Sequence, residues 1–126
     1  MIPKYRAWDR ETKSMNGMAE IYRNRKQEIE LHPRDENIIL MQSTGLRDKN
    51  GKEIFEGDVL GTKDGLLDGV VEYRTDLGMW TNSLFRYNNF ERLCNVADST
   101  YIIGNIYENP ELLEVNQCLV ITPTLD

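Results

Sequence analysis

Gly57-Asp58-Val59-Leu60-Gly61, with glycine at both ends, and Gly69-Val70-Val71-Glu72-Tyr73, opened by glycine and rich in β-branched residues, are two short strand-like runs separated by a glycine-containing loop over residues 63–68. Glycines at the ends of such runs mark points where strands bend sharply, and the Val, Leu, Tyr and Trp between the bends supply an inward-facing row. The spacing predicts a small SH3-like barrel. Towards the C-terminus, residues 79–81, 84–87 and 90–94 read as further strands and residues 101–107 as the last one. Asn109 as a cap, Pro110 at a first helical position, Glu111 in the first turn and then Leu112-Leu113 predict a short closing helix. Cys118-Leu119-Val120-Ile121 reads either as an added strand or as part of a tail.

Towards the N-terminus, Asn50-Gly51 is the strongest short turn signal in the chain and predicts a type I′ turn, which needs positive φ at both central residues. Before it, Glu36-Asn37-Ile38-Ile39-Leu40-Met41-Gln42 reads as a strand buried on both faces. Tyr5-Arg6-Ala7-Trp8, the polar reversal at residues 9–12 and the stretch 13–18 predict an opening β-hairpin. Residues 19–22 and 27–32 read as two strands flanking a basic tip; the Glu, Lys, Arg and Gln content leaves a single charged helix over 18–31 as the rival reading. The expected organisation is therefore a mainly β chain: an N-terminal β subdomain over 1–50, a barrel with its closing helix over 51–114, and a tail over 115–126.

With 126 residues the chain is long enough to bury a core without disulfides or metal. The longest apolar run, Ile38-Ile39-Leu40-Met41, is far short of the ~20 residues of a membrane-spanning helix. Met1-Ile2-Pro3-Lys4-Tyr5-Arg6 lacks the apolar segment of a secretory signal, which predicts a cytoplasmic protein with Cys94 and Cys118 reduced. The net charge of −6 is unevenly distributed: residues 1–50 carry ten Lys/Arg and eight Asp/Glu (+2), residues 51–126 five and thirteen (−8). Arg23, Arg25 and Lys26 form the one basic cluster able to engage a polyanion, and beside exposed aromatics they make nucleic acid the alternative partner.

Catalytic chemistry finds little support. The single histidine, His32, precedes Pro33-Arg34 at a strand end, where an imidazole is poorly placed as a base. Glu53, Glu56, Asp58, Asp64 and Asp68 crowd the turn region, but their glycine-flanked positions predict solvated loop carboxylates. No phosphate loop, dinucleotide fingerprint, Cys/His metal set or serine elbow appears, so no catalytic residue, metal or cofactor is expected. The aromatics Trp8, Tyr22, Phe55, Tyr73, Trp80, Phe85, Tyr87 and Phe90 are expected mostly in the core.

Four segments taken together, Tyr5-Arg6-Ala7-Trp8-Asp9, the stretch from Leu40 through Asn50-Gly51 to Val59, Gly69-Val70-Val71-Glu72-Tyr73, and Ile103-Gly104-Asn105-Ile106-Tyr107-Glu108-Asn109-Pro110-Glu111-Leu112-Leu113, resemble the YopX-like proteins of bacteriophages and prophages. The resemblance spans about residues 1–114 and implies a mainly β, SH3-like fold. It implies no catalytic or binding residues, and the basic cluster and residues 115–126 lie outside its informative segments. Asn50, Gly51, Gly57, Asp58, Gly104 and Asn105 are read as residues whose backbone geometry specifies turns. The expectation is a non-enzymatic phage accessory module that binds a phage or host protein through a barrel groove or strand edge, with self-association open to the same edges.

Overall fold

The computed structural model describes residues 4–19, 21–23, 29–31 and 37–113. The chain divides into two compact units, Met1–Ser43 and Thr44–Asp126. In the first, β1 (Tyr5–Asp9) and β2 (Ser14–Ala19) form an antiparallel hairpin, as the sequence predicts. Asp9 Oδ1 accepts the N–H groups of Glu11 and Thr12, so one carboxylate organises the reversal. β3 (Ile21–Arg23) and β4 (Ile29–Leu31) pair antiparallel in a sheet of their own, which rules out the rival helix over 18–31. β5 (Ile38–Arg47) begins in this unit and pairs with the other edge of β1, Tyr5 opposite Gln42 and Asp9 opposite Ile38. Of its apolar start only Met41 is fully covered; Ile38, Ile39 and Leu40 are half-buried, so the strand is not buried on both faces as its composition suggests.

In the second unit the end of β5 is joined by a tight turn to its neighbour β6 (Glu53–Phe55). β7 (Asp58–Gly61), β8 (Gly69–Arg74), β9 (Met79–Leu84) and β10 (Phe90–Arg92) then run as an antiparallel meander. β11 (Tyr101–Asn105) returns to pair with β7, giving the order β10-β9-β8-β7-β11. This sheet curls into a half-barrel, the SH3-like arrangement that the glycine spacing implies, and residues 111–113 are in the short C-terminal helix.

Two local expectations change. Residues 85–88 form a bend, and β10 stops at Arg92, after which α1 (Leu93–Val96) and a 3-10 turn (Ala97–Ser99) lead into β11. The physical reason is burial: Leu93, Val96 and Ala97 of this helical segment are all under 8% exposed. Leu93 and Ala97 close the core with Ile54, Leu60 and Val71, and Leu46, Trp80 and Ile102 pack around them. Each fully buried aliphatic contributes roughly 1.5–3 kcal/mol relative to leaving it in water.

The curl depends on close backbone approach at Gly69. A Cβ there would sit 2.4 Å from the Ser83 carbonyl oxygen and 2.5 Å from Asn82 Oδ1, and Asn82 is itself held by donating from Nδ2 to the Leu67 carbonyl. Gly45 offers the contrast: its φ is +78°, yet nothing lies within 4 Å of where a Cβ would stand. Gly69→Ala is therefore expected to lower stability by about 2–3 kcal/mol through overpacking, against about 1 kcal/mol of backbone strain for Gly45→Ala, measured by urea unfolding.

Candidate functional site

The polar chemistry of the second unit gathers in three places. The first is the turn between β5 and β6. The Asp48 carboxylate, 5% exposed, accepts the N–H groups of Asn50 and Lys52 on Oδ1 and that of Ile102, 54 residues away, on Oδ2, each at 2.9 Å. Lys49 N–H donates to the Thr100 carbonyl at 2.8 Å, and the fully buried Thr100 hydroxyl is within 3.1 Å of the carbonyls of both Val96 and Ala97, to which it donates. Residues 48 and 49 thus seal the start of β11. Within the turn, Gly51 N–H donates to the Asp48 carbonyl and Asp48 N–H to that of Lys52. Gly51 has φ +82° while Asn50 is not left-handed, so the type I′ expectation is corrected: this is a loop in which only the glycine takes positive φ.

Burial raises the Asp48 carboxyl, but the backbone N–H groups of Ile102, Lys52 and Asn50, with the Lys52 charge, outweigh it and hold the group below its ordinary value of 3.8. Asp58, read as a solvated loop carboxylate, is instead 1% exposed, its Oδ2 accepting Phe55 N–H across the Gly57 turn. Gly57, with φ +86°, donates to the Val71 carbonyl and accepts Ile106 N–H. Asn105 Oδ1 accepts Tyr107 and Glu108 N–H, and Asn109 Oδ1 accepts Asn105 N–H, while the Asn109 carbonyl accepts Leu112 N–H at the start of the closing helix. Gly104 makes room for that contact, since a Cβ there would lie 2.5 Å from Asn109 Oδ1.

The second place is the loop after β7. Asp64 Oδ1 accepts Leu66 N–H and the Thr62 hydroxyl, and Asp68 Oδ1 accepts Thr62 N–H. The Leu66 and Thr62 donors hold Asp64 below the ordinary carboxylate range. These side chains organise their own loop, and no group of three or more metal-ligating side chains occurs among the described residues.

The third is a hollow of about 360 Å³ where β8, β9 and β10 meet the 85–89 bend, lined by Arg74, Ser83, Leu84, Tyr87, Asn88, Asn89 and Phe90. Leu84 N–H donates to the Asn89 carbonyl and Phe90 N–H to Asn89 Oδ1, so the bend is closed at its base. Arg74 lies 5.0 Å from the Phe90 ring centroid and forms a forked pair with Asp76, Nε to Oδ1 at 3.0 Å and Nη2 to Oδ2 at 2.8 Å. The hydrogen bond from Arg74 holds the Asp76 carboxyl low. Ser83 Oγ donates to Glu72 Oε1. Tyr87 stands 50% exposed at the lip. Most aromatics are covered to some degree, Trp8 at 7%; Tyr73 and Tyr87 are the exposed ones among those whose side chains are described, and Tyr73 is braced edge-on by Trp80 at 5.2 Å.

Of the basic cluster, Arg23 ends β3, whereas Arg25 and Lys26 lie outside the described residues, as do His32 and Cys118. Cys94 is an exposed free thiol. No helix among the described residues is long and apolar enough to cross a membrane. The hollow escapes sequence reading because Tyr87 sits in a stretch that looks like strand; the Asn88-Asn89 pair, poor in strands and good in turns, is the signal for the bend.

Fold and site together define a mainly β, SH3-like module with a polar-aromatic hollow at one end of its half-barrel. The chain belongs to the YopX family, whose model, described as YopX protein, matches residues 4–114. Among solved structures it is similar to the yopX protein of Bacillus subtilis, with 22% identity and a TM-score of 0.56 over 90% of this chain and 97% of that one. It is also similar to protein EF1440 from Enterococcus faecalis, with 30% identity and a TM-score of 0.49 over 90% and 99% of the two chains. No curated protein matches.

The depressed carboxyl of Asp48 has a defined pH signature. Because its folded value lies below 3.8, its contribution is complete above that pH and is lost as pH falls through the folded value. Asp48→Asn is expected to cost about 2–4 kcal/mol at pH 7, and the gap from the parent chain should narrow below pH ~3.8 in urea titrations.

Proposed function

We propose that this chain is a non-enzymatic binding module, carried by a phage or prophage, that takes an extended segment of a partner protein at the β8–β10 hollow. The observation that carries the reading is the half-exposed Tyr87 beside that hollow, where an aromatic ring, the Arg74–Phe90 stack and the Asn88 and Asn89 amides offer both apolar area and hydrogen-bonding groups. Tyrosine and arginine at such positions are the residue types that dominate protein–protein binding energy.

Two further features support it. The sheet has two outer strands, and the start of β11 is occupied by Asp48 and Lys49, while β10 borders the hollow and has no strand on its outer side among the described residues. An incoming segment would add its backbone alongside β10 and place a side chain in the hollow. The carboxylates otherwise suited to acid–base chemistry are engaged locally: Asp48, Asp58, Asp64 and Asp68 all accept backbone N–H groups of their own turns.

A photocrosslinking residue placed at Tyr87 in the full chain, expressed in host cells, tests this against the same residue placed at Asp98, which is exposed on the 3-10 turn. The expected result is one stoichiometric protein adduct from position 87 and none from 98. Tyr87→Ala should weaken that interaction by about 30-fold while leaving stability within about 0.5 kcal/mol of the parent chain. Adducts equal at both positions, or nucleic acid recovered in place of protein, would overturn the reading.

A further inference from the structure

The turn that carries the Asp48 clamp also contains a chemically reactive pair of adjacent residues. In an Asn-Gly sequence the glycine amide nitrogen can attack the asparagine side-chain carbonyl, because glycine has no side chain to obstruct the approach. Asn50 and Gly51 are both exposed to water. In the folded turn, however, the attacking nitrogen is committed: Gly51 N–H donates to the Asp48 carbonyl at 2.9 Å, and the Asn50 backbone N–H donates to Asp48 Oδ1 at 2.9 Å. The folded turn thus restrains the attacking nitrogen and the backbone on either side of the Asn50 Cα–C bond, although the side-chain carbonyl it would attack is its neighbour in sequence.

We infer that Asn50-Gly51 is a deamidation site guarded by folding, and that its isoaspartate product cannot rebuild the clamp. The Gly51 nitrogen loses its proton and forms a bond to Asn50 Cγ, the Cγ–N bond of the side-chain amide breaks, and ammonia leaves. Water then opens the resulting cyclic imide at either carbonyl, giving aspartate or isoaspartate at position 50. No oxidant or other reactant is needed. In isoaspartate the main chain runs through the former side chain, adding one methylene between the amides of residues 50 and 51. Asp48 Oδ1 accepts from N–H groups on both sides of that insertion, at residues 50 and 52, and the Gly51 N–H to Asp48 carbonyl bond also spans it. The lengthened loop therefore cannot satisfy all three contacts. The normal aspartate product keeps the backbone and leaves them intact.

The test uses the full chain incubated at pH 8 in buffer and in denaturing urea, with Asn50 conversion followed by mass spectrometry and the aspartate and isoaspartate forms separated by peptide mapping. Conversion in the folded chain should be slower on the order of tenfold or more, since it proceeds only from the opened hairpin. After dilution from urea, chains with isoaspartate at position 50 should be depleted from the cooperatively folding fraction, while the Asn50→Asp variant folds with a midpoint close to the parent. Equal conversion rates in the two conditions, or isoaspartate chains that refold with an unchanged midpoint, would overturn the inference.

Discussion

One buried carboxylate joins distant parts of the second unit. Asp48 takes three backbone N–H groups, two from its own turn and one from Ile102 on the returning strand, and so replaces the strand partner that β11 would otherwise lack at that position. Backbone donors left unsatisfied at such a site would each cost about 1–3 kcal/mol, which makes the arrangement a condition for closing the half-barrel. Lys49 and Thr100 extend the same seam, and the helical segment over Leu93–Ala97 contributes Leu93 and Ala97 to the core beside it.

How much of this is legible from the residues depends on whether local geometry or tertiary packing decides each position. The bend at Gly57 and the hairpin of β1 and β2 follow from local chemistry and stand where the sequence puts them, whereas Gly69, also where the sequence marks it, is required by the close approach of Ser83 and Asn82 from the next strand. The turn at Asn50-Gly51 also stands in its expected place but is of a different type, because the Asp48 side chain takes hydrogen bonds that a two-residue turn would leave to the backbone and so removes the requirement for positive φ at Asn50. The helix at Leu93–Val96 carries no warning: Arg92 at its start makes no capping bond from its side chain, and its first turn contains no acidic residue. Its conformation is imposed by core packing. The burial of Asp58 is equally tertiary, since glycine neighbours suggest an exposed turn.

The candidate site divides in the same way. The acidic residues are visible in the sequence, but that Asp58, Asp64 and Asp68 accept backbone N–H groups of their own loops is seen only in the fold. The hollow beside Tyr87 is built by the 85–89 bend and by Arg74 stacking on Phe90, contacts between strands that no local pattern announces.

Amide hydrogen exchange at Ile102 tests the role of Asp48 most directly. If the carboxylate holds β11 in place, the Ile102 amide of the parent chain exchanges as slowly as the core amides of β7 and β8, and in the Asp48→Asn variant it exchanges much faster while Val59 and Val71 keep most of their protection. An Ile102 amide that exchanges at the rate of the exposed Leu77 turn in the parent chain, or that is unchanged by the substitution, would contradict the account.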